Sequence, residues 1–74
     1  MQGMDIPTLY SGMTDAERRA WIDTIHARTQ ISRKYIYQLA IGFQGRRGSA
    51  RVVAKIAEAD PRVTLEAQFC VSAA

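Results

Sequence analysis

The chain has 74 residues, 47% of them hydrophobic, and a formal net charge of +3. This length gives room for one domain with one core, and the apolar content favours a folded chain over a disordered one. A single cysteine, Cys70, and a single histidine exclude an internal disulfide and a cysteine-based zinc site.

The basic residues are concentrated in the middle of the chain. Residues 31–57 contain six lysines and arginines and no acid, whereas four of the seven acids lie in residues 1–30. A charged block is commonly a solvated surface, but the lack of any balancing acid favours a polyanionic partner. The chain begins without a signal-peptide pattern, and no stretch approaches the ~20 apolar residues of a bilayer span. We therefore expect a cytoplasmic protein with no membrane contact.

The N-terminal part of the chain predicts two helices. Asp5 as a cap and Pro7 in the first turn favour one short helical turn. The sequence Thr-Asp-Ala-Glu from Thr14 is typical of a capping box, so a longer helix should run from there to about Arg28. Its apolar face is expected to consist of Trp21, Ile22 and Ile25.

A further helix is predicted from Arg33 to Ile41. Ser32 is a favourable N-cap, and Gly42 can end the helix in a left-handed conformation. The helical spacing gives this segment a buried stripe of Ile36, Leu39 and Ala40.

A glycine-rich basic loop is predicted over residues 42–48. After it, Ser49 caps another helix, Ala50–Ala59, which Asp60-Pro61 breaks. The tail, residues 62–74, allows two structures. Alternating apolar residues from Val63 onward favour a strand, whereas Thr64 followed by Leu-Glu-Ala-Gln favours a capped short helix.

The predicted fold class is therefore all-α. We expect one small helix-turn-helix domain of four to five short helices over residues 1–74. Its core should lie in about residues 14–60, with residues 62–74 as a C-terminal arm, for which a strand and a short helix both stay open. One histidine, no paired carboxylates on a shared face and no metal-ligand cluster predict that the protein is not an enzyme. We expect no catalytic residues, metal, cofactor or small-molecule ligand.

The helix from Arg33 suits the major groove of duplex DNA, which is wide enough for one α-helix. Arginine can donate two bonds to guanine, glutamine can pair with adenine, and tyrosine offers a hydroxyl and a ring. The helix N-terminus at Ser49 and the glycine-rich loop suit phosphates. The expected base contacts are Arg33, Lys34, Tyr37 and Gln38. The expected DNA backbone contacts are Ser32, Tyr35, Gln44, Arg46, Arg47, Ser49 and Arg51.

The sequence also resembles the Cro-like and YdaS-like helix-turn-helix regulators of phages and prophages. The likeness covers about residues 14–66 and lies in four segments: residues 31–42, Arg46-Arg47, residues 49–59 and Val63-Thr64. The resemblance implies a serine-capped recognition helix followed by a basic turn, with Ser32 as the cap and with Arg33, Lys34, Tyr37 and Gln38 facing DNA.

Two departures from the family pattern stand out. The acid that often follows the isoleucine of the last family helix comes one place later here, at Glu58 instead of Ala57. The small residue or glycine usual in the turn before the recognition helix is replaced by Thr29-Gln30. The second departure leaves the geometry of that turn open.

The predicted function is sequence-specific binding of double-stranded DNA, as a transcriptional repressor acting as a homodimer on a two-fold operator. Residues 62–74 could supply the dimer contact by pairing strands across the axis. Alternatively, the tail packs on its own core, with Phe69 filling it. A second hypothesis is a phage-encoded protein-binding module, antitoxin-like or an inhibitor, that uses the same fold to bind a protein partner.

Overall fold

The structure is a computed structural model that describes residues 3–69. Over those residues the chain forms five α-helices and no strand, which confirms the all-α prediction of four to five helices. The helices are α1 (Ile6–Ser11), α2 (Asp15–Thr29), α3 (Arg33–Ile41), α4 (Ala50–Ala59) and α5 (Leu65–Gln68).

Side-chain caps set the helix boundaries close to the predicted positions. Asp5 accepts a hydrogen bond from an amide in the first turn of α1 at 2.9 Å. Thr14 and Glu17 form the predicted capping box of α2, each side chain accepting from the other residue's amide. Ser32 and Ser49 accept from the amides three residues on, both at 3.2 Å, and start α3 and α4. Each cap satisfies an amide that the helix itself leaves unpaired.

The core forms where α1 and α2 pack on α3 and where α4 packs on α2 and α5. The buried stripe predicted for α3 is present, and Trp21 and Ile25 of α2 are buried as expected. Three of the buried apolar residues lie outside the expected core range of 14–60, so both ends of the described chain contribute to the core. The buried apolar residues are Ile6, Leu9, Trp21, Ile25, Ile36, Leu39, Ala40, Val53, Ile56 and Val63.

The tail adopts the helical alternative. Thr64 Oγ1 accepts from the Ala67 amide at 3.2 Å and starts α5, so of the two alternatives residues 65–68 form the short helix and not the strand. Extended pairing is limited to an isolated parallel bridge between Val63 and Met4. A strand needs a partner along its whole length, and residues 3–69 provide one only at this bridge. Residues 65–68, part of the segment to which the dimer contact was assigned, are thus helical in this structure, and Cys70 lies outside the described residues.

Candidate nucleic-acid interface

The helix α3 has one face in the core and one in solvent. Ser32 caps its start, and Gly42, with φ of +68°, ends it by donating its amide to the carbonyls of Gln38 and Leu39. Glycine suits this position because a side chain at positive φ meets its own backbone. The nine residues between these two caps are thereby held as a short, well-defined helix.

The outward stripe of α3 consists of Lys34, Gln38 and Ile41, spaced four and three residues apart on one side of the helix. Lys34 is exposed, Gln38 is half-buried, and Ile41 is 47% exposed. Ile41 was not among the predicted site residues. Its position seven residues after Lys34 is the signal that places it on this outer stripe.

Tyr37 flanks the outer stripe on the side of α1. Tyr37 is 47% exposed, and its ring stands edge-on to the ring of Tyr10, with 6.4 Å between the centroids. An edge-to-face aromatic contact of this kind favours one orientation of the ring. The predicted placement of Tyr37 on the accessible face therefore agrees with the structure.

Arg33 is accessible but is already paired with an acidic side chain. Its Nε donates to Asp23 Oδ1 of α2 at 2.9 Å, and the two side chains are 60% and 56% exposed. The sequence predicted Arg33 on the outer face of the helix. The pairing with Asp23 joins two different helices, so helical spacing within one segment could not predict it.

The segment after α3 turns sharply before it meets α4. Phe43–Gly45 forms a single 3₁₀ turn, in which Gln44 has φ of +54° and Gly45 has φ of +73°. Gln44 is exposed, and its left-handed backbone is costly for a residue with a side chain. Arg46 follows, exposed, with its guanidinium 6.0 Å from the ring centroid of Tyr35.

Gly48 allows this segment to cross closely over α3. Its φ is +83°, and a Cβ added there would lie 3.1 Å from a methyl group of Leu39 and 3.6 Å from the Tyr35 hydroxyl. The turn that contains Arg46 and Arg47 therefore lies directly against α3, the candidate recognition helix. Tyr35 is half-buried, so its side chain takes part in this packing and is only partly accessible.

Arg47 has a different environment from Arg46. It donates to the Asp5 carboxylate at 3.2 Å and to the Gln68 carbonyl at 3.3 Å, and its side chain is 44% exposed. Burial by itself raises the pKa of Asp5, but hydrogen bonds from Thr8 and Arg47 outweigh that effect and leave the pKa below its ordinary value. The predicted phosphate contact is thus already engaged in holding α1 and α5 together.

The remaining predicted residues lie at the start of α4. Ser49 caps the helix through its side chain, and both Ser49 and Arg51 are exposed. Of the eleven predicted site residues, Tyr35 and Gln38 are half-buried and the others are exposed. The positions that combine exposure, charge or hydrogen-bonding capacity and proximity to α3 are Lys34, Gln38, Arg33, Tyr37, Arg46 and Ser32.

No family model, curated protein or solved structure matches this chain. The resemblance to phage regulators therefore depends on the quoted residues alone. Between residues 3 and 69, three or more histidine, cysteine or acidic side chains do not gather anywhere as a potential metal site. In that same part of the chain, no helix is long and apolar enough to cross a membrane.

Proposed function

We propose that this chain binds duplex DNA by placing α3 in the major groove, and that it acts as a repressor in the form of a homodimer on a two-fold operator. The observation that carries this proposal is the outer face of α3. A short helix, capped at both ends and anchored by Ile36, Leu39 and Ala40, presents Lys34 and Gln38 to solvent. A rigid, shallow, polar and cationic helix face is what base-edge recognition requires.

The division of roles follows from the surroundings of each side chain. Lys34, Gln38, Arg33 and Tyr37 reach outward from α3 and are assigned to base edges, where Ile41 adds an apolar contact for a thymine methyl group. Arg46 lies on the adjoining turn and is assigned to phosphate, with Ser32, Gln44, Ser49 and Arg51 beside it. Arg47 is already paired with Asp5 and Tyr35 packs against the turn, so their contribution to DNA binding is secondary.

The charge distribution supports the same partner. Residues 31–57 contain six cations and no acid, and the cations Lys34, Arg46 and Arg51 are exposed. Lys34 stands in the first turn of α3, where the helix dipole disfavours a positive charge by about 0.3–1 kcal/mol. An anionic partner offsets that cost.

The deciding experiment is selection of bound duplexes from a random library, followed by titration of the selected duplex at two salt concentrations. We expect one enriched sequence with two half-sites about 10 bp apart, as a two-fold dimer requires. Affinity should fall steeply from ~50 to ~200 mM salt, because phosphate contacts release counterions. No binding to any duplex, with capture of a protein partner instead, would contradict the proposal and favour the protein-binding alternative.

Single substitutions separate base contacts from phosphate contacts. Arg46→Ala should weaken binding to all sequences about equally and lower the salt slope by about one. Lys34→Ala and Gln38→Ala should instead change preference at individual base pairs. Arg28→Ala is the matched charge control. Arg28 lines the groove between α2 and α4 with Lys55, away from the outer stripe of α3, and its loss should have a smaller effect.

A further inference from the structure

The pairing of Asp23 with Arg33 joins the two helices on either side of the turn. Asp23 lies on the exposed side of α2, and Arg33 is the first residue of α3. Asp23 Oδ1 accepts from Arg33 Nε at 2.9 Å, while more than half of each side chain stays accessible. An exposed ion pair of this kind contributes little to the free energy of folding. Its main effect is on the orientation of the Arg33 side chain.

Asp23 binds Arg33 through Nε, and this choice of atom decides which donors of the guanidinium remain available. An arginine side chain has five N–H donors, one on Nε and four on the two terminal nitrogens. The contact with Asp23 engages Nε, and the terminal nitrogens are the pair that can donate side by side to guanine O6 and N7. A guanidinium fixed at Nε is therefore ordered without losing the edge that reads guanine.

The local sequence of α3 does not by itself hold this side chain. The first turn of α3 contains no acid that could pair with Arg33. Without Asp23, the long and flexible side chain of Arg33 would become ordered only on binding DNA. It could then bind a phosphate instead of a base. Ordering a side chain in advance reduces the loss of entropy on binding and favours one acceptor geometry over others.

We propose that Asp23 is a positioning residue that orients Arg33 to read a guanine in the major groove. This inference rests on the proposed DNA-binding function and adds the identity of one base in the half-site. A carboxylate near the DNA lowers affinity for every sequence. Asp23 therefore raises discrimination at the guanine while it weakens binding overall.

The test compares two duplexes, the selected one and a version in which the guanine read by Arg33 is replaced by adenine. That position is found as the one whose preference Arg33→Ala removes. For Asp23→Ala we expect the affinity ratio of the two duplexes to fall by about three- to tenfold, which is part of the discrimination of one bidentate pair. Affinity for the adenine duplex should rise or stay level, and Asp23→Asn, which keeps an acceptor oxygen, should give an intermediate ratio.

Asp15→Ala is the matched control, since it removes the same charge from an exposed acid on the same helix that pairs with Arg18 instead. It should strengthen binding to both duplexes equally and leave the ratio unchanged. If Asp23→Ala also strengthens both duplexes equally, or leaves the ratio as in the wild type, the positioning role is wrong while DNA binding stands. A wild-type chain that binds no duplex overturns the proposed function itself.

Discussion

Asp60 shows how one buried carboxylate can organise several contacts. Its side chain is 10% exposed, accepts the indole N–H of Trp21 at 2.9 Å and pairs with Arg62 at 2.7 Å. The hydrogen bond from Arg62 is the main cause that lowers the pKa of Asp60 to about 2, and the bond from Trp21 adds to it. Burial opposes both, and the hydrogen bonds outweigh it, so the charged form of Asp60 is favoured.

Stability at low pH should therefore depend on Asp60. The folded chain binds the Asp60 proton less readily than the unfolded chain, whose carboxyl titrates near 3.8. The contribution is fully present above pH 4 and is lost as the pH falls toward 2, by about 2 kcal/mol in the free energy of unfolding. Urea unfolding of the wild type and Asp60→Asn across this range, followed by circular dichroism, measures the difference. Parallel pH profiles for the two chains would show that Asp60 is not the group responsible.

At the scale of elements, the turn between α2 and α3 sets the angle at which α3 is presented. Gln30 ends α2 with φ of +64°, and its amide donates to the His26 carbonyl at 2.9 Å. Its side chain adds a bond to the Ala27 carbonyl at 3.0 Å. A residue with a Cβ occupies here the left-handed position that glycine usually takes, which costs about 1–2 kcal/mol of backbone strain.

Gln30→Gly should therefore stabilise the fold. Relief of the left-handed strain exceeds the added flexibility of glycine in the unfolded chain, and we expect a net gain of about 0.5–1 kcal/mol in urea unfolding. Gln30→Ala is the control, since it keeps the Cβ and loses the bond to Ala27, and it should be less stable than the wild type. A glycine variant less stable than the alanine variant, which lacks the same side-chain bond, would mean that the added flexibility of glycine outweighs the relief of strain.

The element boundaries were largely predictable because caps are local. Thr14, Ser32 and Ser49 act on amides three residues away, and Gly42 acts on its own backbone, so a short stretch of sequence contains the whole interaction. The tail was ambiguous because the alternation from Val63 and the cap at Thr64 favour different structures. The cap decided the structure because no strand partner extends beyond the bridge to Met4 within residues 3–69.

The contacts of the individual site residues were less predictable than the helix on which they lie. Exposure of Lys34 and Tyr37 follows from helical spacing, but the engagement of Arg33 by Asp23 and of Arg47 by Asp5 does not. The partners lie ten and 42 residues apart along the chain, and only the packing of the helices brings them together. Sequence therefore identified the accessible cations without showing which of them are already paired.

For the molecule as a whole, Gln68 connects three parts of the fold at one buried point. Its side chain is 0% exposed, accepts the Ile6 amide at 2.8 Å and donates to the Arg47 carbonyl at 2.8 Å. The first contact satisfies an amide at the start of α1, and the second holds the basic turn that lies against α3. A polar residue in an apolar core is stable only when such groups are all paired.

Gln68→Leu should consequently be costly although leucine fills a similar space. It removes the hydrogen-bond partner of the buried Ile6 amide and of the partly buried Arg47 carbonyl, so we expect a loss of about 2–4 kcal/mol in urea unfolding. Glu66→Leu, an exposed replacement on the same short helix, should change stability by less than about 1 kcal/mol. Hydrogen exchange should also show faster exchange of the Ile6 amide in the Gln68 variant, since that amide depends on the glutamine. A Gln68→Leu chain as stable as the wild type would mean that water or a shifted backbone satisfies both groups, and that α1, α5 and the basic turn are not coupled through this side chain.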